Sequence, residues 1–155
     1  MQKIGILGEK IVGKWLESQN YGLLQQNWRC RWGEIDIIAQ SKVSKTIAFV
    51  EVKTRSKNNW DEGGLLAIDA VKQEKIIKTA SLFLARYPQF AEFPCRFDVA
   101  LVSYKSLSLR RKDAEKRETK RDDEEVARPS LGKPVAIEQY HLTIEDYLQS
   151  AFELT

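Results

Sequence analysis

Two short apolar stretches, GEIDIIAQ (Gly33–Gln40) and IAFVEVKTR (Ile47–Arg55), constrain this chain more than any other feature. β-Branched and aromatic residues dominate both: Ile35, Ile37 and Ile38, then Ile47, Phe49, Val50 and Val52. With the polar SKVSK segment (Ser41–Lys45) as a hairpin turn, they read as neighbouring strands. Side chains on a strand alternate between faces, so Glu51 and Lys53 share one face while Val50 and Val52 enter the other. If the strands are antiparallel, Asp36 comes beside Glu51. Two carboxylates and an ammonium in an apolar sheet are costly unless they pair or hold a metal.

The flanking segments give this pair a setting. Ile4, Leu7, Ile11 and Trp15, widened by Val12 and Leu16, make a helical stripe over about Lys3–Gln19, with Glu9 on its flank. Tyr21–Arg29 reads as a first strand, completing a three-stranded meander. Asp69 is placed to cap a helix from Ala70 to about Tyr87 with the stripe Ile76, Ala80, Phe83 and Tyr87; Lys72, Lys75 and Lys78 lie on or beside its polar side, and Pro88 stops it. Cys95–Tyr104 is a fourth strand. Leu109–Ser130 is almost devoid of apolar residues and reads as a mobile, poorly packed charged insertion within the region of about residues 105–130. Lys133–Leu142 is expected as a fifth strand, followed by a short terminal helix capped by Thr143. This order predicts one α/β domain over 1–155, a mixed sheet flanked by helices.

Composition narrows the chemistry. The 155 residues carry 25 Lys and Arg against 22 Asp and Glu, a net charge of +3 that permits a nucleic-acid partner without demanding one. Cys30 and Cys95 have no CxxC or histidine pairing around them, which argues against zinc and for a reducing, cytoplasmic compartment. No apolar run approaches the roughly 18–20 residues needed to cross a bilayer, so no membrane association is expected. A Walker-type loop and the spacings of Ser/His/Asp or Cys/His catalysis are missing, and His141 is the one histidine.

Hard oxygen donors remain. Mg²⁺, or Mn²⁺ in its place, is held by one or two carboxylates with waters and phosphate oxygens. Asp36 and Glu51 supply such donors, and the carbonyl of a strand residue such as Val52 adds a third. An ion there would acidify a water and offset charge on a phosphate. Lys53 would stabilise developing negative charge, and Glu9 could reach in from the first helix. The plainer alternative is a salt-bridge network at a sheet end, with solvated helix lysines and with Trp28, Trp32 and Trp60 as packing residues rather than base-stacking ones.

Six motifs in order sharpen this: Gly8-Glu9, Asn27-x-Arg29, Gly33–Ile38, Phe49–Arg55, Ala67–Arg86 and Cys95–Val102. Together they resemble the YraN family, an endonuclease-like bacterial family similar to archaeal Holliday-junction resolvases and the PD-(D/E)XK nucleases. The resemblance implies a restriction-endonuclease-like three-layer α-β-α fold and metal-dependent phosphodiester hydrolysis in DNA, including branched DNA. It makes Asp36 the first metal-binding acid, Glu51 and Lys53 the paired acid and lysine, and Glu9 the first-helix glutamate. Lys72 becomes a phosphate contact, Arg29 and Arg55 further nucleic-acid contacts, and Glu34 a supporting partner of Asp36. A homodimer, with one centre for each cut strand, follows from the same resemblance. Two other readings are a non-catalytic nucleic-acid-binding module on this scaffold and an adaptor using the charged insertion.

Overall fold

The computed structural model describes residues 3–57, 68–107 and 128–153. The elements are α1 (Ile4–Ser18), β1 (Tyr21–Cys30), β2 (Gly33–Ser41), β3 (Ile47–Ser56), α2 (Ala70–Arg86), a 3-10 turn (Pro88–Phe90), β4 (Cys95–Ser106), β5 (Val135–Ile137) and β6 (Tyr140–Phe152). The strands form one six-stranded sheet ordered β1-β2-β3-β4-β6-β5. β3 and β4 are parallel, and the other neighbours are antiparallel. Two parallel neighbours cannot be joined by a tight turn, so α2 carries the crossover. Its start is fixed by Asp69, whose Oδ1 accepts the Lys72 N–H at 2.8 Å.

Each helix covers one face of the sheet. Leu7, Ile11, Val12 and Leu16 of α1 pack on Ile37, Ala39, Ala48, Val50, Ala100 and Val102. Ile76, Ala80 and Phe83 of α2 pack on Ile35, Ile38, Ile47, Phe49, Phe97 and Val99. Fully burying one such aliphatic side chain stabilises by about 1.5–3 kcal/mol. The result is a three-layer α-β-α arrangement on a mixed sheet, as the sequence predicts.

The C-terminal segment departs from expectation. From Thr143 the chain forms no helix; it continues as β6, with Thr143 opposite Ser103 of β4. β4 is buried from Phe97 to Ser103, so leaving one side of it unpaired would strand a row of backbone donors and acceptors. β6 pairs along almost its whole length, sending Leu142 and Ile144 into the α1-side core and stacking Phe152 on Phe97 at 5.0 Å. Tertiary pairing overrides a locally acceptable helical pattern. The expected strand Lys133–Leu142 splits into β5 and the start of β6, turned by Glu138 at φ 51°. Most of the charged insertion, 108–127, and the loop bearing Trp60, 58–67, lie outside the described residues.

Where β4 begins, Asp98 is completely buried and fully bonded. Arg96 Nε donates to both its oxygens at 2.8 and 3.0 Å, the Tyr147 hydroxyl donates at 2.7 Å, and the Ser150 N–H at 3.0 Å. Arg96 also donates to the Tyr21 hydroxyl at 2.6 Å, tying β1, β4 and β6 together. Burial would lower the Arg96 guanidinium, but the bonds to Asp98 and Tyr21 prevail and hold it above its ordinary value.

Candidate active site

Two strands away from Asp98, and one register step beyond its level, β2 and β3 part. Their pairing runs from Gln40↔Ile47 to Ile37↔Val50, and at the next step a side chain replaces the ladder. Asp36 turns into the fork and its Oδ2 accepts the Val52 N–H at 2.8 Å. In an extended strand the N–H and C=O of one residue point the same way, so Val52's carbonyl faces the fork too. β2 also slips phase here. Ile35 and Ile38, three residues apart, both pack on the α2 side, while Ile37 and Ala39 pack on the α1 side. Strict alternation forbids that combination. Across from Asp36, Asn27 adopts φ 51°, a left-handed conformation that asparagine tolerates.

The slip gathers acids on the α1 side. Glu9, Glu34 and Asp36 each bring a carboxylate oxygen within 4.8 Å of the other two. Glu9 reaches them because α1 lies close to β3: a Cβ on Gly8 would overlap the Thr54 hydroxyl. Glycine is thus required one residue before the glutamate. Thr54 Oγ1 is buried without a hydrogen-bond partner among the described residues.

Like charges at this spacing hold protons. Burial, then Glu51, then Glu9 and Glu34 push Asp36 up to about 8 against the pull of the Val52 N–H. Burial also raises Glu9, with Glu34 and Glu51 adding to it, while hydrogen bonds with the Asn27 and Asp36 side chains oppose the shift.

The α2 side holds the cationic half. Glu51 and Lys53 share a face, as alternation predicts, and it is the face of α2. The Glu51 carboxylate binds Lys72 Nζ at 2.7 Å. Lys53 is 5% exposed and lines a cavity of about 190 Å³ with Ile68, Gln73, Val99, Leu148, Ala151 and Phe152. Burial, then Lys72 and Arg55, lower its ammonium below the ordinary lysine value, with Glu51 and Asp69 opposing.

The expected single convergence is therefore two half-sites meeting at Asp36. Glu51 is the strongest charged neighbour of Asp36, yet it stands outside the three-carboxylate cluster, taken up by Lys72. Arg29 is on the rim, its Nε 2.8 Å from Glu34, and exposed Arg55 donates to the Thr54 carbonyl at 3.0 Å. Glu34 stands inside the cluster rather than behind it. Asn27 appeared in the sequence only as part of a motif; a positive φ in the middle of a strand leaves no periodic signal, so its contact with Glu9 was not legible.

Comparison with known proteins places these residues in a family. Residues 8–102 match the Uncharacterised protein family UPF0102, a span that includes every charged residue of both half-sites and Asp98. A UPF0102 protein of Acaryochloris marina is 42% identical over 159 residues, covering 98% of this chain and 91% of the relative. One of Synechocystis sp. is 45% identical over 152 residues, covering 98% and 99%. Another, of Trichormus variabilis, is 46% identical over 153 residues, covering 97% and 94%.

Proposed function

The chain belongs to family UPF0102, the YraN-like family that its motifs resemble, and from the geometry of the fork we propose a metal-dependent phosphodiester hydrolase acting on DNA. Asp36 carries this reading: a carboxyl wedged between strands, ringed by three glutamates, and holding its proton to about 8. A divalent cation with a preference for hard oxygen would take the place of that proton, and the donors fit it. Asp36, Glu9, Glu34 and the Val52 carbonyl would hold Mg²⁺ or Mn²⁺, with Glu51 beside them. When bound, such an ion supplies an acidified water and neutralises charge on the phosphate.

The chain's own groups supply the rest. Glu9, raised above its ordinary value by burial, suits a proton acceptor that orients the attacking water. Lys53, fixed by burial, donates to oxygens that gain negative charge as the phosphodiester opens. Glu51 holds Lys72 at the mouth, where its ammonium meets an incoming phosphate. Arg29 and Arg55 provide backbone contacts that carry no sequence information.

Cleavage of branched, duplex and single-stranded DNA with Mg²⁺ or Mn²⁺ tests this reading. Asp36→Ala and Lys53→Ala should each lower the rate by about a hundredfold or more, and activity surviving both would overturn the assignment. The pairing of Glu51 with Lys72 at 2.7 Å favours a second reading, a nucleic-acid-binding module without turnover. It predicts salt-dependent DNA binding and no cleavage with any metal. Under the first reading a homodimer would present one centre to each strand of a junction, and light scattering of the purified protein would reveal it.

A further inference from the structure

The turn between β1 and β2 carries an aromatic ring that packing does not account for. Trp28 is 9% exposed and meets Phe83 edge-on at 5.5 Å, a core residue. Trp32 is 39% exposed. It sits at the hairpin tip next to Gly33, whose φ of 151° suits glycine, and four residues before Asp36. The tip is at the same end of the sheet as the fork.

Cations surround this ring. Arg31 Cζ lies 4.7 Å and Lys78 Nζ 4.8 Å from its centroid, within cation–π range. Lys78 Nζ is also 3.4 Å from Glu74. Lys72, Lys75 and Lys78 are exposed on successive turns of α2, starting at Glu51 and ending at Trp32. Six residues of helix rise about 9 Å and wind about 120° round the axis, so the three ammonium groups suit a backbone that crosses α2 obliquely. A row of ammonium groups ending on an exposed indole is the combination that single-stranded nucleic acid uses: charge for the backbone and a flat face for a base. An acidic peptide would satisfy the lysines and leave the indole without a matching surface.

We propose that Trp32 is a base-stacking platform. A DNA strand crosses the α2 lysines from the fork, and an unpaired base a few nucleotides from the scissile phosphate stacks on the indole, displacing a cation that now lies over the ring. The protein therefore selects DNA with an unpaired base, such as a flap or junction, over continuous duplex. This rests on the nucleic-acid reading of the fork.

The test is binding by fluorescence anisotropy in EDTA, comparing a duplex with the same duplex bearing a short unpaired flap. A 2-aminopurine in the flap reports stacking by quenching. Wild type should prefer the flap by about tenfold, the loss expected for one stacked base, and quench the probe. Trp32→Ala should abolish both while changing duplex affinity by less than about twofold, and Trp32→Tyr should restore most of each. A preference and quench unchanged in Trp32→Ala, or an equal loss on both DNAs, would overturn the stacking proposal while leaving the nucleic-acid reading in place. Absence of wild-type binding to either DNA would overturn both.

Discussion

Asp36 and Asp98 are aspartates of one sheet, and their surroundings are opposite. Asp98 accepts from a guanidinium, a phenol and a backbone N–H, so its charge and its oxygens are satisfied within the protein. Burial and the neighbouring Asp98 carboxylate raise the Tyr147 phenol, which keeps it a donor. Asp36 has one N–H and three glutamates around it. A buried charge matched by its neighbours is structural, whereas one surrounded by like charge leaves an electrostatic demand that a ligand can meet. The sheet thus separates its two duties, holding itself together where β4 begins and storing unbalanced charge where β2 and β3 part.

Removing Asp98 should have the largest effect on stability. Asp98→Ala leaves the half-buried Arg96 without its counter-charge and the Tyr147 hydroxyl and Ser150 N–H without their acceptor, and such a break costs about 3–5 kcal/mol. Denaturant unfolding should show this loss equally with and without Mg²⁺; a loss that Mg²⁺ restores would erase the contrast. Gly8→Ala should come next, at about 1–3 kcal/mol for overpacking against Thr54. It should also lower any Mg²⁺-induced stabilisation by moving Glu9 away, and adding Thr54→Ala should recover part of both.

The smallest expected change has the opposite sign. Asp36→Asn removes a carboxylate crowded by its own kind, so metal-free protein at pH 8 should gain on the order of 1–2 kcal/mol once screening is allowed for. The pH dependence follows. Asp36 moves from an ordinary 3.8 to about 8 on folding, so the folded state binds the proton more tightly. That contribution to stability is fully present below about 4 and fades as pH rises through about 8. The melting temperature of metal-free protein should therefore fall across that window, and Asp36→Asn should flatten the slope. An unchanged slope would mean that Asp36 is not the group titrating.

Local periodicity made much of this legible. The stripes of α1 and α2, the Asp69 cap, the meander and the shared face of Glu51 and Lys53 all follow from repeats of 3.6 or 2 residues. Features set by distant partners were not legible. β6 is a strand because β4 needs a neighbour, and nothing within Thr143–Phe152 states that need. The phase slip at Asp36 depends on Asn27 nine residues earlier and on α1 packing above both. Asp98 stood in a recognisable motif, but its partners Tyr147 and Ser150, and Tyr21 behind Arg96, come from strands far away in sequence.

The bond from the Val52 N–H to Asp36 has a spectroscopic consequence. Most amide protons of β3 point at backbone carbonyls, whose charge never changes. This one points at a carboxyl that gains or loses a full charge with pH, and that would exchange a proton for an ion. Its nitrogen and proton resonances should move with the state of the fork, while those of Val50, one pleat back in the regular ladder, stay still. Val52 is a resident indicator of the centre's charge, readable in a spectrum without any substrate.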